Sequence, residues 1–230
     1  MKERFIRTKS VNKYFEAIER VNHRKRKGFE RMILIIGEPG LGKTESSMHY
    51  AAMNGAVMVR TLELMTGPWL LRKIVYELGG EPLHRSDKNM DLICELLHEK
   101  PRTLIFDEID RFARNPKIVE SIRDIHDLNF GSPIIFVGEE HADKKLAQNR
   151  RLFRRFVEII KFERLDLDGT RDFLSEISDI KYSDDAVEKI FLNTSGKISN
   201  IMMAVDHAEA VARGLQTKTI QGKDLKWKVD

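Results

Sequence analysis

Residues 32–44 of the chain read MILIIGEPGLGKT, a short apolar run that leads directly into a glycine-rich loop. The run MILII is typical of a buried parallel strand, because every one of its side chains is apolar. The loop fits the pattern G-x-x-x-x-G-K-[ST], and the residues after it predict a helix over 44–53. A strand, a glycine loop and a helix in this order predict a phosphate-binding loop.

The residue types of this loop suit a nucleotide. Glycines let successive backbone N–H groups turn towards phosphate oxygens, and the positive end of the following helix points at the same anion. Lys43 is expected to reach the β- and γ-phosphates, and the Thr44 hydroxyl to bind Mg²⁺. The sequence thus predicts ATP and Mg²⁺ as ligands, with the nucleotide contacted by Gly37, Glu38, Pro39, Gly40, Leu41, Gly42, Lys43 and Thr44.

A second apolar run, TLIF at 103–106, ends in the adjacent acids Asp107 and Glu108. A solvated strand end is the ordinary explanation for such a pair. With the phosphate loop in the same chain, we instead expect Asp107 to hold Mg²⁺, through water, and Glu108 to act as general base on the attacking water. An acid at position 108 favours ATP hydrolysis over phosphate transfer to a small acceptor.

The remaining pattern predicts an α/β fold of the P-loop NTPase class, a parallel sheet sandwiched by helices with a small C-terminal helical lid. We expect a basic helical leader over 1–31, an ATPase core over 32–164 and the lid over 165–230. Further strands are predicted at 56–59, 103–106, 133–137 and 157–160, and helices at 10–27, 69–78, 90–98, 117–128, 168–180, 184–193 and 198–214.

Composition and charge narrow the function classes. No apolar run approaches the roughly 18 residues of a membrane span, so we expect no membrane association. A single cysteine, Cys94, excludes an internal disulfide and favours a reducing cytoplasm. Residues 1–31 hold eleven Lys/Arg and four Asp/Glu, a net charge of +7. This excess is either a solvated helix face, the reading that the charge alone favours, or a footprint for a polyanion.

Several segments together resemble the bacteriophage Mu B-type DNA transposition protein family, within the AAA+ branch of P-loop ATPases. They are ILIIGEPGLGKT, DEIDRF, SIRDIHD, IIFVGEE and RRLFRRF, within a resemblance that covers roughly residues 8–213. The resemblance implies an ATPase, slow until a partner or DNA stimulates it, in the cytoplasm of a bacterial host. It also implies a homo-oligomeric ring or helical filament on duplex DNA, without sequence preference. Such a protein selects the target site and activates a transposase.

The resemblance also implies further site residues. Family members place ATP between subunits and supply an arginine in trans, and Arg155 best matches that position because it leads into the strand predicted at 157–160. Arg151 and Arg154 are alternative candidates for the same role. The ordinary alternative is that all of these arginines lie on the surface of a helix without a role in the site. Val11 and Asn12 are expected adenine contacts by family position alone.

Two positions depart from the AAA+ pattern. Glu139 lies about where a polar sensor residue belongs, and a carboxylate near a γ-phosphate would repel it. Either Glu139 points away, or hydrolysis is slow and awaits a partner. Ser199 lies where the lid often carries an arginine, and Lys197 is the nearby cation.

Two other function classes stay open. One is a nucleotide-gated protein-interaction switch without DNA binding, as in secretion or signalling ATPases with this core. The other is a phage helicase loader, for which the sequence shows no helicase-binding segment. If DNA is bound, Arg60, Arg111 and Arg114 are candidate backbone contacts.

Overall fold

The computed structural model describes residues 4–23, 30–111, 115–129 and 131–226. They form two compact units, one of residues 11–38 and 43–162 and one of residues 4–10, 39–42 and 163–226, as far as each range is described. These bounds differ from the domain bounds that the sequence predicts, which stay a prediction. The elements are α1 (Lys9–Asn22), β1 (Met32–Ile36), α2 (Lys43–Asn54), β2 (Val57–Arg60), α3 (Gly67–Leu78), α4 (Ser86–Glu99), β3 (Leu104–Asp107), α5 (Pro116–Leu128), β4 (Ile134–Val137), α6 (Ala142–Leu146), α7 (Arg150–Phe153), β5 (Phe156–Lys161), α8 (Leu167–Ile177), β6 (Lys181–Tyr182), α9 (Asp184–Thr194), α10 (Ile198–Gly214) and β7 (Thr219–Ile220).

The larger unit is built on a parallel sheet of five strands in the order β2-β3-β4-β1-β5. This order brings the carboxyl ends of β3, β4 and β1 side by side at one edge. The polar residues that follow these strands are therefore neighbours in space, although the sequence separates them widely. The parallel sheet with flanking helices confirms the predicted fold class, and the strand bounds differ from the predicted ones by one residue or so.

The central strands are apolar because helices cover both of their faces. Every residue of β1, β3 and β4 is buried, Asp107 included. By contrast, β5 is an edge strand of intermediate and exposed residues. Arg20 of α1 donates two hydrogen bonds to Glu158 of this strand, at 2.9 and 2.8 Å. A charged edge with a paired helix beside it protects the sheet from pairing with other chains.

Helix α1 confirms the helix predicted from residue 10 onwards, and its apolar residues, which recur at helical spacing, are all buried: Val11, Tyr14, Phe15, Ile18 and Val21. Its predicted ends were wrong in part. The helix begins at Lys9 and ends at Asn22, with His23 in a turn, and the predicted continuation over 24–27 lies outside the described residues. Ser10, the first residue of the predicted helix, lies inside α1, and its hydroxyl accepts a hydrogen bond from Glu163 N at 3.1 Å.

The smaller unit has its own core, formed by α8, α9, α10 and the strand pair β6–β7. Fully buried side chains such as Ile190, Ile201 and Val205 lie at its centre. The three predicted helices are confirmed, although α8 ends at Ile177 rather than at 180. Lys181 follows in β6, which pairs with β7 in parallel. Pattern reasoning missed β6 and the short helices α6 and α7, because two to five residues are too few to show a period.

Candidate functional site

The glycine loop leaves β1 at the edge where β3 and β4 also end. Gly40 and Gly42 have φ values of 81° and 84°, in the left-handed region that favours glycine. Alternation of backbone conformation of this kind turns consecutive N–H groups to one side, as an anion requires. The helix α2 begins at Lys43, directly after the loop. This local geometry fits a phosphate-binding loop.

Lys43 lies inside this loop, where its ammonium group donates hydrogen bonds to the carbonyl oxygens of Gly37 at 2.6 Å and Glu38 at 2.8 Å. Its partial burial lowers the pKa of the amine, while the negative charges of Asp107 and Glu139 act in the opposite direction. A desolvated cation held over loop carbonyls is a favourable partner for a phosphate group.

Thr44 at the start of α2 and Asp107 at the end of β3 form a pair of residues that could hold a metal ion. Thr44 Oγ1 donates a hydrogen bond to Asp107 Oδ2 at 3.0 Å. Burial raises the pKa of Asp107, although the hydrogen bonds from Thr44 and from the backbone N–H of Glu108 favour the carboxylate. Mg²⁺ commonly takes one or two protein oxygens and completes its octahedron with water and phosphate oxygens. The donor set of Thr44 and Asp107 fits that requirement, and the metal roles of both residues stay predictions.

Glu108 adopts an unusual backbone conformation. Its φ is 60°, a left-handed value that costs energy in a residue other than glycine. The surrounding residues fix it there, since the buried Thr61 donates from its hydroxyl to Glu108 O at 2.6 Å and Arg111 N donates to the same oxygen at 3.0 Å. Strain of this kind persists where the structure over-determines a residue, and it is a frequent feature of functional sites.

Two arginines hold the Glu108 carboxylate. Arg60 Nη2 lies 2.9 Å from Oε1, and Arg111 Nε lies 3.0 Å from Oε2. The hydrogen bond from Arg60 is the main reason why the pKa of Glu108 lies below its usual range, and Arg111 adds to it. In this conformation both carboxylate oxygens of the predicted general base accept hydrogen bonds from cations.

The loop after β4 is attached to the turn after β3. Asp110, in a short 3-10 helix that follows Glu108, accepts a hydrogen bond from Glu139 N at 2.5 Å and pairs with Lys145 at 2.9 Å. The backbone of Glu139 is therefore fixed beside the turn after β3, while its side chain is exposed. Both alternatives that the sequence leaves open for Glu139 stay predictions.

In the smaller unit, the tip of the glycine loop contacts the start of α10. Ser199 N donates to Gly40 O at 2.9 Å. A Cβ at Gly40 would lie 2.9 Å from Lys197 Cε and would collide with Ser199 Oγ. The φ value of 81° favours glycine at position 40, and a larger residue there would also displace the side chains of Lys197 and Ser199.

Arg155, the residue that the resemblance favours as the arginine supplied in trans, forms hydrogen bonds within its own chain. Arg155 Nε and Nη2 donate to the two oxygens of Asp127 on α5, at 3.1 and 2.8 Å, and Glu30 lies 3.7 Å away. The side chain is only 26% exposed. Arg151 and Arg154 are exposed, and the described part of the chain provides no ion-pair partner for either.

Two of the remaining predicted residues, Val11 and Asn12, lie in α1. Val11 is buried in α1 and Asn12 is exposed, and their proposed adenine contact stays a prediction. Arg114 lies outside the described residues. Sequence reasoning missed the roles of Thr61, Asp110 and Lys145. The spacing D-E-I-D marks Asp110, but no pattern identifies a threonine after β2 or one lysine in a polar helix.

Residues 26–146 match the family model described as an AAA domain, which covers more than half of the sequence. The chain belongs to this family. No curated protein sequence matches the chain. The finer resemblance to the Mu B-type family is not confirmed by the comparisons. Among the described residues, no helix combines the length and apolar character needed to cross a membrane.

Solved structures of the AAA+ class share this fold. The ORC2 protein of Aeropyrum pernix, solved in ADPNP–ADP complexes, superposes with a TM-score of 0.72 at 14% identity, over 97% of this chain and 68% of that one. The RuvB Holliday junction branch migration motor of Thermotoga maritima superposes with a TM-score of 0.64 at 19% identity, over 94% of this chain and 66% of that one. The Aeropyrum pernix ORC1 protein in complex with DNA superposes with a TM-score of 0.65 at 13% identity, over 94% of this chain and 62% of that one. The chain thus spans about two thirds of their length, and at these identities the likeness establishes the fold alone.

Proposed function

We propose that this AAA domain chain binds and hydrolyses ATP with Mg²⁺. The observation that carries the proposal is the hydrogen bond between Thr44 and Asp107 at 3.0 Å, directly beside a glycine loop with Lys43 at its end. Lys43 and the loop N–H groups would hold the phosphates, and Thr44 and Asp107 would hold the metal ion. The bound metal would neutralise charge on the phosphates and orient them.

Hydrolysis needs a base near the attacking water, and Glu108 is the proposed group. The hydrogen bonds from Arg60 and Arg111 lower the pKa of Glu108 and favour its ionised form, but they also occupy both of its oxygens. We infer slow basal hydrolysis, which rises when a partner draws these arginines away. Arg60 is suited to such a signal, because 63% of its side chain is exposed to solvent.

The proposed partner is duplex DNA, bound through its backbone without sequence preference by a homo-oligomer of this chain. Arg60 and Arg111 are the described candidates for phosphate contacts, and the basic residues of 1–31 add positive charge. The ORC1 neighbour was solved in complex with DNA, which supports the proposal only by likeness of fold. On this basis we propose that the protein selects a transposition target and activates a transposase, as the sequence resemblance implies.

The test measures ATP hydrolysis and co-sedimentation with duplex DNA at low and at high salt, each with ATP and with ADP. The proposal predicts association with ATP at low salt, loss of association as salt rises, and no dependence on DNA sequence. Lys43→Ala, which should lose the nucleotide, provides the control. Absence of DNA association with ATP at low salt would reject the DNA role.

The same experiment separates the alternatives. Assembly with ATP that is equally strong without DNA, together with stimulation by a protein partner, would support a protein-interaction switch. Stimulation by a replicative helicase would support a helicase loader. For the transposition role, an integrase-like transposase encoded beside this gene should show faster strand transfer in the presence of the protein and ATP, and no effect on the transposase would contradict it.

A further inference from the structure

Helix α7 is the short helix that carries Arg151, and Arg154 follows directly after it. Both are candidates for the arginine supplied in trans. The helix has four residues, Arg150–Phe153, and a helix of this length is not stable by itself in water. The buried side chain of Leu152 fixes one side of it in the core. The direction in which the exposed arginines point therefore depends on the contacts at the two ends of α7.

The start of α7 is attached to α5 through Asn149. The Asn149 side chain caps the helix, since its Oδ1 accepts a hydrogen bond from Leu152 N at 3.1 Å. The amide nitrogen of the same side chain donates to Glu120 Oε1 on α5 at 2.8 Å. Because one side chain caps α7 and bonds to α5, the contact fixes the position of the helix start as well as its conformation.

The end of α7 is attached to α5 through Arg155. Its Nε and Nη2 donate to the two oxygens of Asp127, and its Nη1 donates to the carbonyl oxygen of Arg151 at 3.2 Å. Burial raises the pKa of Asp127, but the hydrogen bonds from Arg155 and His126 lower it below its usual range. A charge-assisted, bidentate pair of this kind fixes orientation as well as distance. The guanidinium group thus joins a carboxylate of α5 to the backbone of α7.

Both contacts lie on one face of α5. Glu120 and Asp127 are seven residues apart, which is about two helical turns. Arg123 lies between them, forms an ion pair with Glu120 and approaches Asp127 to 3.8 Å. Asp127 ends the segment SIRDIHD (121–127), for which nucleotide binding alone gives no role. The two acids form a single surface that holds both ends of α7.

We propose that Glu120 and Asp127 are positioning residues for ATP hydrolysis, which hold α7 so that Arg151 or Arg154 points towards the nucleotide of a neighbouring copy. This inference rests on the proposed function, and on hydrolysis by a homo-oligomer in particular. Neither acid would touch the nucleotide, since each acts through the residue that flanks α7. Loss of either contact lets the helix end shift, and a displacement of about 1 Å can lower a rate by about a hundredfold.

The test compares steady-state ATP hydrolysis and nucleotide binding of the full chain for the wild type and Asp127→Asn. This isosteric change removes the charge and leaves Arg155 with one acceptor oxygen. We expect kcat to fall by about tenfold or more and the affinity for ATP with Mg²⁺ to change by less than about twofold, because the variant keeps its own phosphate loop. Mixing with Glu108→Gln, which has an intact α7 and no base, should restore hydrolysis on the Asp127→Asn subunits.

Glu120 provides an independent pair of variants. Glu120→Ala removes the acceptor for the Asn149 amide, whereas Glu120→Gln keeps an acceptor oxygen at the same place. We expect Glu120→Ala to lower kcat without a matching loss of ATP affinity, and mixing with Glu108→Gln to restore hydrolysis. Glu120→Gln should keep kcat within about threefold of the wild type. A difference between the two variants would assign the effect to the contact with Asn149.

Asp124→Asn is the matched control. It removes a carboxylate from the same helix, but one that pairs with Arg123 at 2.6 Å rather than with a residue that flanks α7, and it should leave kcat and affinity unchanged. A higher rate in Asp127→Asn would mean that Asp127 withholds Arg155 from the site, and it would overturn the proposal. So would unchanged rates in Asp127→Asn and Glu120→Ala, parallel losses of kcat and affinity, or no recovery on mixing. If the wild type does not hydrolyse ATP, the proposed function fails instead.

Discussion

Arg60 Nη2 lies 2.9 Å from Oε1 of Glu108, while Arg111 Nε lies 3.0 Å from its other oxygen. The proposed general base is thus ionised but engaged by two guanidinium groups. A carboxylate in this state is a weak acceptor for the proton of a water molecule, because its lone pairs already accept charged donors. The pairing connects a candidate DNA contact directly to the chemistry of the site.

Arg60→Ala should release one oxygen of Glu108 and raise the basal rate of ATP hydrolysis by about threefold or more, since a better-positioned base contributes directly to the barrier. DNA should then stimulate hydrolysis less than it stimulates the wild type. The measurement is steady-state phosphate release with and without DNA. Arg85→Ala, which removes an exposed arginine paired with Asp87, serves as control and should leave both rates unchanged. A lower basal rate in Arg60→Ala would show that Arg60 assists catalysis.

Glu108→Gln should keep nucleotide binding and assembly while reducing hydrolysis by at least about a hundredfold, because the amide cannot accept a proton from water. The positive φ of residue 108 is a backbone property, so the variant should fold with a similar stability. Single-turnover hydrolysis and a binding titration provide the two readings. Normal turnover in this variant would mean that another group activates the water.

Thr44→Val should weaken the contribution of Mg²⁺ to ATP binding, because the variant keeps the side-chain volume but loses the hydroxyl that lies 3.0 Å from Asp107 Oδ2. We expect the affinity for ATP in the presence of Mg²⁺ to fall by about tenfold. The affinity for ATP when a chelator has removed Mg²⁺ should change little. Ser47→Ala removes a hydroxyl from the same helix, where it contacts Lys43 O and Tyr14, and is the matched control. Equal losses in the two variants would assign the effect to α2 stability rather than to the metal.

The arginine supplied in trans is predicted to be Arg151 or Arg154 rather than Arg155, because Arg155 is bound to Asp127 within its own subunit. Arg155→Ala should therefore lower the free energy of unfolding by roughly 1–2 kcal/mol, as loss of a charge-assisted pair implies. Arg151→Ala and Arg154→Ala should leave stability unchanged, and one of them should lose hydrolysis.

Mixing subunits tests the same point. An inactive Arg151→Ala or Arg154→Ala variant should recover partial hydrolysis when mixed with Glu108→Gln, which supplies the intact arginine to its neighbour. If hydrolysis recovers when Glu108→Gln is mixed with Arg155→Ala, and with neither of the other two variants, then Arg155 is the arginine supplied in trans, as the resemblance implies.

The sequence allowed the parallel sheet and the phosphate loop to be predicted because both depend on local patterns. Apolar runs such as Met32–Ile36 identify the buried strands, and the spacing from Gly37 to Thr44 is fixed by how a loop wraps a phosphate. The two acids after β3 could be placed near this loop because neighbouring parallel strands end at one edge. These features follow from periodicity and topology.

The contacts that control Glu108 could not be predicted in the same way. Arg60 reaches it from the end of β2 and Thr61 from the residue after β2, and they are 48 and 47 positions away in sequence. The pairing of Arg155 with Asp127 likewise joins residues of different elements, 28 positions apart. Such side-chain pairs depend on the packing of whole elements, and a single sequence carries no pattern that reports them.

The most direct test of the account is a calorimetric titration of the wild-type chain with ATP in the presence of Mg²⁺, beside Lys43→Ala. The account predicts saturable binding to the wild type and none to Lys43→Ala, because the ammonium group of Lys43 is the phosphate partner. Lys73→Ala, which removes a lysine from α3 that pairs with Glu77, should bind as the wild type does. No heat of binding with the wild type, or equal binding by Lys43→Ala, would contradict the proposed site.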